Sequence, residues 1–188
     1  KTTEERNLLY FDKILDFSYS SEGTRLVLSA VKDGTTDIYI HTIASGTNEQ
    51  ITRDIADDLH PSFLRESPEE IVFSSNRLSD TLTNTGSPFE KLSPTFDLFT
   101  YNLNKRNNNL IRLSEGRFTD RLQATGIAKN KFSYLGDQNG IFNMYVATFD
   151  SAISYIDTTT HYRYFIQSQP VTNYDRNILN QSVANGPG

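Results

Sequence analysis

Cysteine and tryptophan are absent from this sequence of 188 residues, which has only one methionine and three histidines. Without cysteine, the chain cannot form disulfide bonds, use a catalytic thiolate or bind zinc through sulfur. The histidines, at positions 41, 60 and 161, lie far apart and form no H-x-x-x-H pair. We therefore predict no metal site and no cofactor. The lack of cysteine fits an exported protein, but it is also common in cytosolic proteins and does not decide the compartment.

Positive charge is scarce as well. The chain has 18 Lys+Arg against 23 Asp+Glu, a formal net charge of -5, and its longest basic run is Lys105-Arg106. This balance disfavours binding to nucleic acid phosphates or to anionic lipid, so no nucleic acid partner is predicted. The longest apolar stretches are only a few residues, so we expect neither a membrane span nor a signal peptide in this sequence.

What the sequence does contain is β-forming residues, with 10 Tyr and 12 Phe, arranged as short strands in a repeating order. One strand type reads RLVLSA at 25–30, EIVFSS at 70–75 and KFSY at 131–134. The next reads DIYIHT at 37–42, DLFTYNL at 97–103 and NMYVAT at 143–148. A third closes each unit as EQITR at 49–53, LIRLS at 110–114 and QPVTN at 169–173. A fourth opens the next unit as DDLHPSF at 57–63, DRLQATG at 120–126 and DRNILNQ at 175–181.

The spacing of these units predicts the architecture. If Tyr19, Phe63, Gly126 and Gln181 are equivalent, the spacings are 44, 63 and 55 residues. The first matches a four-stranded propeller blade of roughly 40–45 residues. The extra residues of the other two units fall in two stretches, 78–96 and 150–163, which we interpret as loop insertions.

We therefore predict an all-β fold, a partial β-propeller of about three four-stranded antiparallel blades. The whole chain, 1–188, is one domain with blades near 12–53, 57–114 and 120–173 and the start of a further blade at 175–182. A β-sandwich or barrel is the alternative, since it also joins many short strands. A closed six-bladed ring needs roughly 250 residues, so we expect the chain to be a fragment.

The units resemble the WD40-like (PD40) repeats of TolB-type β-propellers. The residues that carry the resemblance are FSYSSEGTRLVLSAVKDGTTDIYI at 17–40, IVFSSNR at 71–77, FDLFTYN at 96–102 and GDQNGIFNMYV at 136–146. Gly126 stands where the repeat has an aromatic residue. The style of the repeats, with VTNYDRNIL at 171–179, is similar to that of large exported propeller proteins of Bacteroidetes-type bacteria. The resemblance implies a periplasmic or cell-envelope location.

Several polar residues are candidates for binding. Asp57, Asp120 and Asp175 open innermost strands near the propeller axis, where they serve either as turn caps or as ligands for a central ion or a partner lysine. His60, before Pro61, is expected to line the axial channel. Arg77 has the fork that recognises carboxylates, but in the Ser-Asn-Arg signature of such blades it more often pairs with a nearby Asp.

Two further sets of residues are expected to be structural. We predict that hydroxyl groups at the end of each unit bond to the backbone at the turn before the next blade. These residues are Thr52, Ser114 and Thr172. Alternating apolar residues should pack against neighbouring blades. These are Leu26, Leu28, Ile38, Ile40, Ile71 and Phe73.

No catalytic pattern accompanies these features. The sequence has no G-x-S-x-G elbow, no H-E-x-x-H and no Walker A motif. The pairs Asp57-Asp58 and Glu69-Glu70 place neighbours on opposite faces of a strand, so they cannot flank one glycosidic bond. We expect no enzymatic activity in this chain.

Two functions remain open from the sequence. The first is a protein-interaction or scaffold propeller of the bacterial envelope, with an envelope or secretion component as partner and self-association through unpaired blades as a further expectation. The alternative is the accessory propeller domain of a larger peptidase or glycan-active hydrolase, whose catalytic residues lie outside this chain.

Overall fold

A computed structural model describes residues 8–82, 91–114 and 118–183. Each group of four consecutive strands forms one antiparallel sheet in chain order. The first sheet, blade 1, comprises β1 (Lys13–Tyr19), β2 (Arg25–Lys32), β3 (Thr35–Thr42) and β4 (Thr47–Gln50). Blade 2 comprises β5 (Asp58–Leu64), β6 (Ser67–Arg77), β7 (Leu92–Asn102) and β8 (Ile111–Arg112). Blade 3 comprises β9 (Arg121–Ala128), β10 (Lys131–Gly136), β11 (Asn143–Ile156) and β12 (Thr160–Pro170).

The three sheets pack face to face, with the first strands β1, β5 and β9 side by side at the axis. The prediction of a partial propeller of three four-stranded blades is therefore confirmed. The three sheets are separate and follow one another around the axis. A sandwich would have two sheets and a barrel a single closed one, so the fold is neither of these alternatives.

Alternation along each strand gives every blade two apolar faces. We call the face toward the preceding blade the front and the face toward the following blade the back. The back of blade 1 packs on the front of blade 2 through a cluster that includes Val27, Ile40, Phe73 and Phe99. A full burial of each such side chain contributes about 1.5–3 kcal/mol.

A second interface repeats this arrangement between blades 2 and 3. Val72 and Leu98, from the back of blade 2, pack with Phe132 and Tyr134 from the front of blade 3. The rings of Tyr134 and Tyr145 stack at 5.3 Å between centroids. The same pairing of strand types therefore forms both interfaces.

The front of blade 1 packs differently from the sequence-based expectation. Leu26 and Leu28 were expected to contact a neighbouring blade, but they join a small cluster with Phe11 and Tyr39. Both leucines also line a cavity of about 660 Å³ on this face. The reason is that the described residues provide no blade on that side.

Gly126 departs from the repeat for a steric reason. Tyr19, Phe63 and Gly126 pair with equivalent residues of the adjoining strands, which supports the alignment of the three units. A Cβ on Gly126 would lie 2.8 Å from the Arg65 backbone nitrogen and 3.1 Å from the Phe63 carbonyl oxygen. Strands β5 and β9 approach so closely here that only glycine fits.

The recurring hydroxyl residues bond to the backbone, as predicted, but the backbone groups belong to the third strand of the same blade. Thr52 Oγ1 accepts a hydrogen bond from the Ile38 amide at 2.8 Å and donates to Asp37 at 3.4 Å. Equivalent bonds join Ser114 to Leu98 and Asp97, and Thr172 to Met144 and Asn143. The hydroxyl therefore ties the fourth strand region to the third strand of the same blade, and does not cap the turn to the next blade.

The two predicted insertions also need correction. Residues 150–163 lie mainly in strands, because β11 and β12 continue as a two-stranded ribbon with paired residues from Tyr145↔Pro170 to Ile156↔Thr160. In the stretch 78–96, residues 92–96 belong to β7, and residues 83–90 lie outside the described part. The segment 175–182, predicted to start a further blade, forms no strand.

Candidate functional site

A β-bulge interrupts each of the three innermost strands, at equivalent places in β5 and β9 and one residue earlier in β1. The register shifts between Ile14 and Asp16 in β1, between Leu59 and Ser62 in β5, and opposite Ser133 and Leu135 in β9. In β5 and β9 the bulge holds a non-glycine residue at positive φ, His60 at 51° and Gln123 at 55°. A non-glycine residue in this backbone conformation costs on the order of 1–3 kcal/mol. Bulges also redirect side chains, and they are frequent beside binding sites.

The bulged residues meet in one cavity of about 510 Å³ at the axis. It is lined by residues 15–18 of β1, 60–62 of β5 and 123–125 of β9, and by residues 179–183 of the C-terminal segment. We call it the axial cavity. Asp16, His60 and Gln123, one from each blade, thus line the same space although they are far apart in sequence.

Hydrogen bonds to Gln123 hold the C-terminal segment against β9. Gln123 Nε2 donates to the Leu179 carbonyl oxygen at 3.0 Å, and the Gln181 amide donates to Gln123 Oε1 at 3.0 Å. Gln181 Nε2 donates to the Gln123 carbonyl oxygen. Residues 179–183 therefore lie at the axis beside the third blade, where the first strand of a further blade would lie.

Two buried polar atoms of the cavity-lining residues have no hydrogen-bond partner within the described ranges. They are His60 Nδ1 and Gln181 Oε1. Burial lowers the pKa of His60, an effect that the nearby carboxylate of Asp16 opposes only in part. His60 is therefore neutral at pH 7. A buried polar atom without a partner costs free energy, so both atoms are poised to bond to a ligand.

Of the residues predicted from sequence, only His60 lines the axial cavity. Asp57 instead exchanges hydrogen bonds with Asn76, whose Oδ1 accepts from the Asp57 amide at 2.9 Å. Asp120 Oδ1 accepts from the Phe96 amide at 2.8 Å and so connects blades 2 and 3. Asp175 is exposed and lies outside the cavity lining. The structure does not bring the three aspartates together.

Arg77 is buried, which corrects its assignment to a binding face. Its guanidinium forms ion pairs with Asp54 at 2.8 Å and with Asp58 at 2.6 Å, and its Nε donates to Ser75 Oγ at 2.9 Å. Burial raises the pKa of Asp58 to about 6, and the attraction of Arg77 offsets only part of that rise. The guanidinium of Arg77 is therefore occupied by Asp54, in the connection between blades 1 and 2, and by Asp58 and Ser75 of blade 2.

Sequence reasoning missed Asp16, Gln123 and Gln181 as cavity residues. A bulge is set by local backbone geometry and leaves little trace in side-chain alternation. One signal was present, because Pro61 within a strand pattern indicates either an edge strand or a bulge. The other two bulges have no comparable mark in the sequence.

Comparison with known proteins identifies a similar fold. The chain is similar to the crystal structure of TolB from Acinetobacter baumannii, with a TM-score of 0.54 and 16% sequence identity. The match covers 73% of this chain and 30% of that one, so the chain spans less than a third of TolB. No protein-family model and no curated protein matches the sequence. At this identity, the similarity supports the propeller fold alone. The described residues contain no helix that is long and apolar enough to cross a membrane.

Proposed function

We propose that this chain is a non-enzymatic protein-interaction portion of a TolB-like, PD40-type propeller, and that it binds a protein partner through the axial cavity. The observation that carries the proposal is the convergence of Asp16, His60 and Gln123 on one cavity, each on or directly beside a bulge of an innermost strand. Two of these bulges hold a residue in a costly backbone conformation, and such strain is typical of functional sites.

The shape of the surface favours a polypeptide ligand. The axial cavity shares Leu15, Asp16 and Phe17 with the 660 Å³ cavity on the front of blade 1. The second cavity is lined mainly by apolar side chains, among them Leu26 and Tyr19. An extended segment can therefore place polar groups in the axial cavity and apolar groups beside blade 1, as peptide-binding grooves commonly require.

We further propose that the protein is exported and that its partner belongs to the envelope or to a secretion system. The resemblance of the repeats to those of TolB-type propellers and the similar fold of TolB support this proposal. We do not propose that two copies of this chain assemble into one closed propeller ring. Residues 179–183 already lie at the axis where the first strand of a second copy would have to enter.

Site-specific photo-crosslinking tests the proposed binding site. A photoreactive amino acid is placed at Ser18 or Thr125, which line the axial cavity, and in a matched control at Glu66, an exposed residue of the turn after β5. In envelope extract, we expect one specific protein adduct from the two axial positions and none from the control. Adducts only from Glu66, or none from either axial position, would contradict the proposal.

A further inference from the structure

We propose that the axial cavity recognises a cation, namely the side chain of a lysine or arginine carried by the partner. This inference rests on the proposed function, because it names the chemistry of the same site. It is argued from the charge of the cavity, from its acceptors without donors and from one exposed aromatic ring.

The charge of the cavity is negative. Among the described residues that line it, Asp16 is the only one with a formal charge at neutral pH, and none of them is a lysine or arginine. His60, the other titratable residue of this described lining, is neutral because burial lowers its pKa. Asp16 Oδ1 accepts the Phe17 amide at 2.8 Å, which helps to fix the carboxylate in place. An anionic ligand would meet repulsion here, whereas a cation is attracted.

The cavity also offers acceptors that lack donors. Because Gln181 Nε2 donates to the Gln123 carbonyl oxygen, the orientation of this amide is fixed and Oε1 is the atom left without a partner. An amide oxygen can only accept. His60 Nδ1 accepts as well when the ring proton is on Nε2. A lysine ammonium or an arginine guanidinium supplies several donors and no acceptor, so it matches this set.

Phe17 adds a surface of the kind that cations prefer. Its ring is 55% exposed, next in sequence to Asp16, and lines the axial cavity. It contacts Tyr19 edge to face, with 6.0 Å between ring centroids. A cation–π contact with this ring is therefore open to a cationic side chain at the edge of the axial cavity.

The test is a titration of the full chain with short synthetic peptides. Three peptides are identical except for the central residue, which is lysine, norleucine or glutamate. Amide chemical shifts report both the affinity and the place of binding. We expect the lysine peptide to bind about tenfold more tightly than the norleucine peptide, since it adds charge-assisted hydrogen bonds. Glutamate should bind weakest. Equal affinities for the three peptides, or no binding of the lysine peptide, would overturn the inference.

Variants locate the effect. Asp16→Asn should reduce the affinity for the lysine peptide about tenfold, and Asp16→Glu should restore much of it. Glu66→Gln removes the same charge from an exposed turn and should leave the affinity unchanged, which controls for the net charge of the chain. Amide spectra of each variant confirm folding. If Asp16→Asn binds as the parent does, or if Glu66→Gln weakens binding equally, the cation is not recognised in the axial cavity.

The crosslinking and peptide experiments distinguish a failure of the proposed function from a failure of the cation inference. Protein adducts from axial crosslinkers without a preference for lysine would leave the proposed function intact and remove the cation inference. A preference for the lysine peptide without any adduct would establish the cation site and contradict the proposed protein-binding role.

Discussion

Replacing Arg77 with leucine removes the only cation that contacts two buried carboxylates, Asp54 and Asp58, within the described part of the chain. The side chains of Arg77 and Asp58 are 4% and 0% exposed, and Asp54 is 6% exposed. Removing one partner of a buried ion pair costs about 3–5 kcal/mol, because the other partner stays buried without compensation. The expected loss in the free energy of unfolding is therefore of this size near neutral pH.

The loss should also depend on pH. Burial already raises the pKa of Asp58 to about 6, above its value in the unfolded chain. Without Arg77 the attraction that opposes this rise is gone, so the pKa rises further. A raised carboxyl pKa makes the folded state more stable at low pH and less stable as the pH increases through that pKa. The variant should consequently lose more stability near pH 7.5 than near pH 5.

Urea unfolding at both pH values measures these effects. With a slope of about 2 kcal/mol per molar urea, the midpoint near pH 7.5 should fall by roughly 2 M. Arg106→Leu is the matched control, because its ion pair with Glu49 is 3.6 Å long and highly exposed, and such pairs contribute about 0–1 kcal/mol. A loss for Arg77→Leu that is no larger than the control, or the same at both pH values, would refute this reasoning.

Three further predictions concern the blades and the cavity. Gly126→Ala should cost about 1–3 kcal/mol in urea unfolding, and more than Gly136→Ala, whose added Cβ meets only tyrosine side chains; an equal or smaller loss would contradict the close approach of β5 and β9. Thr52→Val should cost about 1–3 kcal/mol, because the buried Ile38 amide loses its acceptor, and more than the less buried Thr172→Val; a neutral Thr52→Val would show that the hydroxyl is dispensable. Binding of the lysine peptide should weaken only below pH 6.5, as His60 becomes protonated against its lowered pKa, and His60→Gln should remove this dependence; an unchanged pH profile in that variant would assign the effect to another group.

The repeat in the sequence was enough to predict the blades. The equivalence of Tyr19, Phe63 and Gly126 follows from strand order alone, and the strand pairings agree with it. Alternation of apolar residues identifies the faces that pack together, because the period of two fixes the side on which each side chain lies. The polar signature of each blade was visible as a recurring Asp or Asn and a recurring hydroxyl.

The axial cavity was only partly predictable. His60 was predicted to line the axial channel and it lines this cavity, but Asp16 and Gln123 were not recognised. Their positions depend on bulges, which shift the register by one residue and reverse the side on which the following side chains lie. The stretch 150–163, which is part of the ribbon formed by β11 and β12, was interpreted as a loop insertion because it exceeds the length of the repeat, although many of its residues are β-forming tyrosine and threonine residues.

Mapping of the amide chemical shifts with the bound lysine peptide tests the central claim most directly. If the bulged strands build the binding site, the largest shifts will fall in three short stretches, 15–18, 60–62 and 123–125, and in the segment 179–183. Shifts concentrated in the ribbon at 150–166, or spread evenly over the protein surface, would contradict the claim that the propeller axis is the binding site.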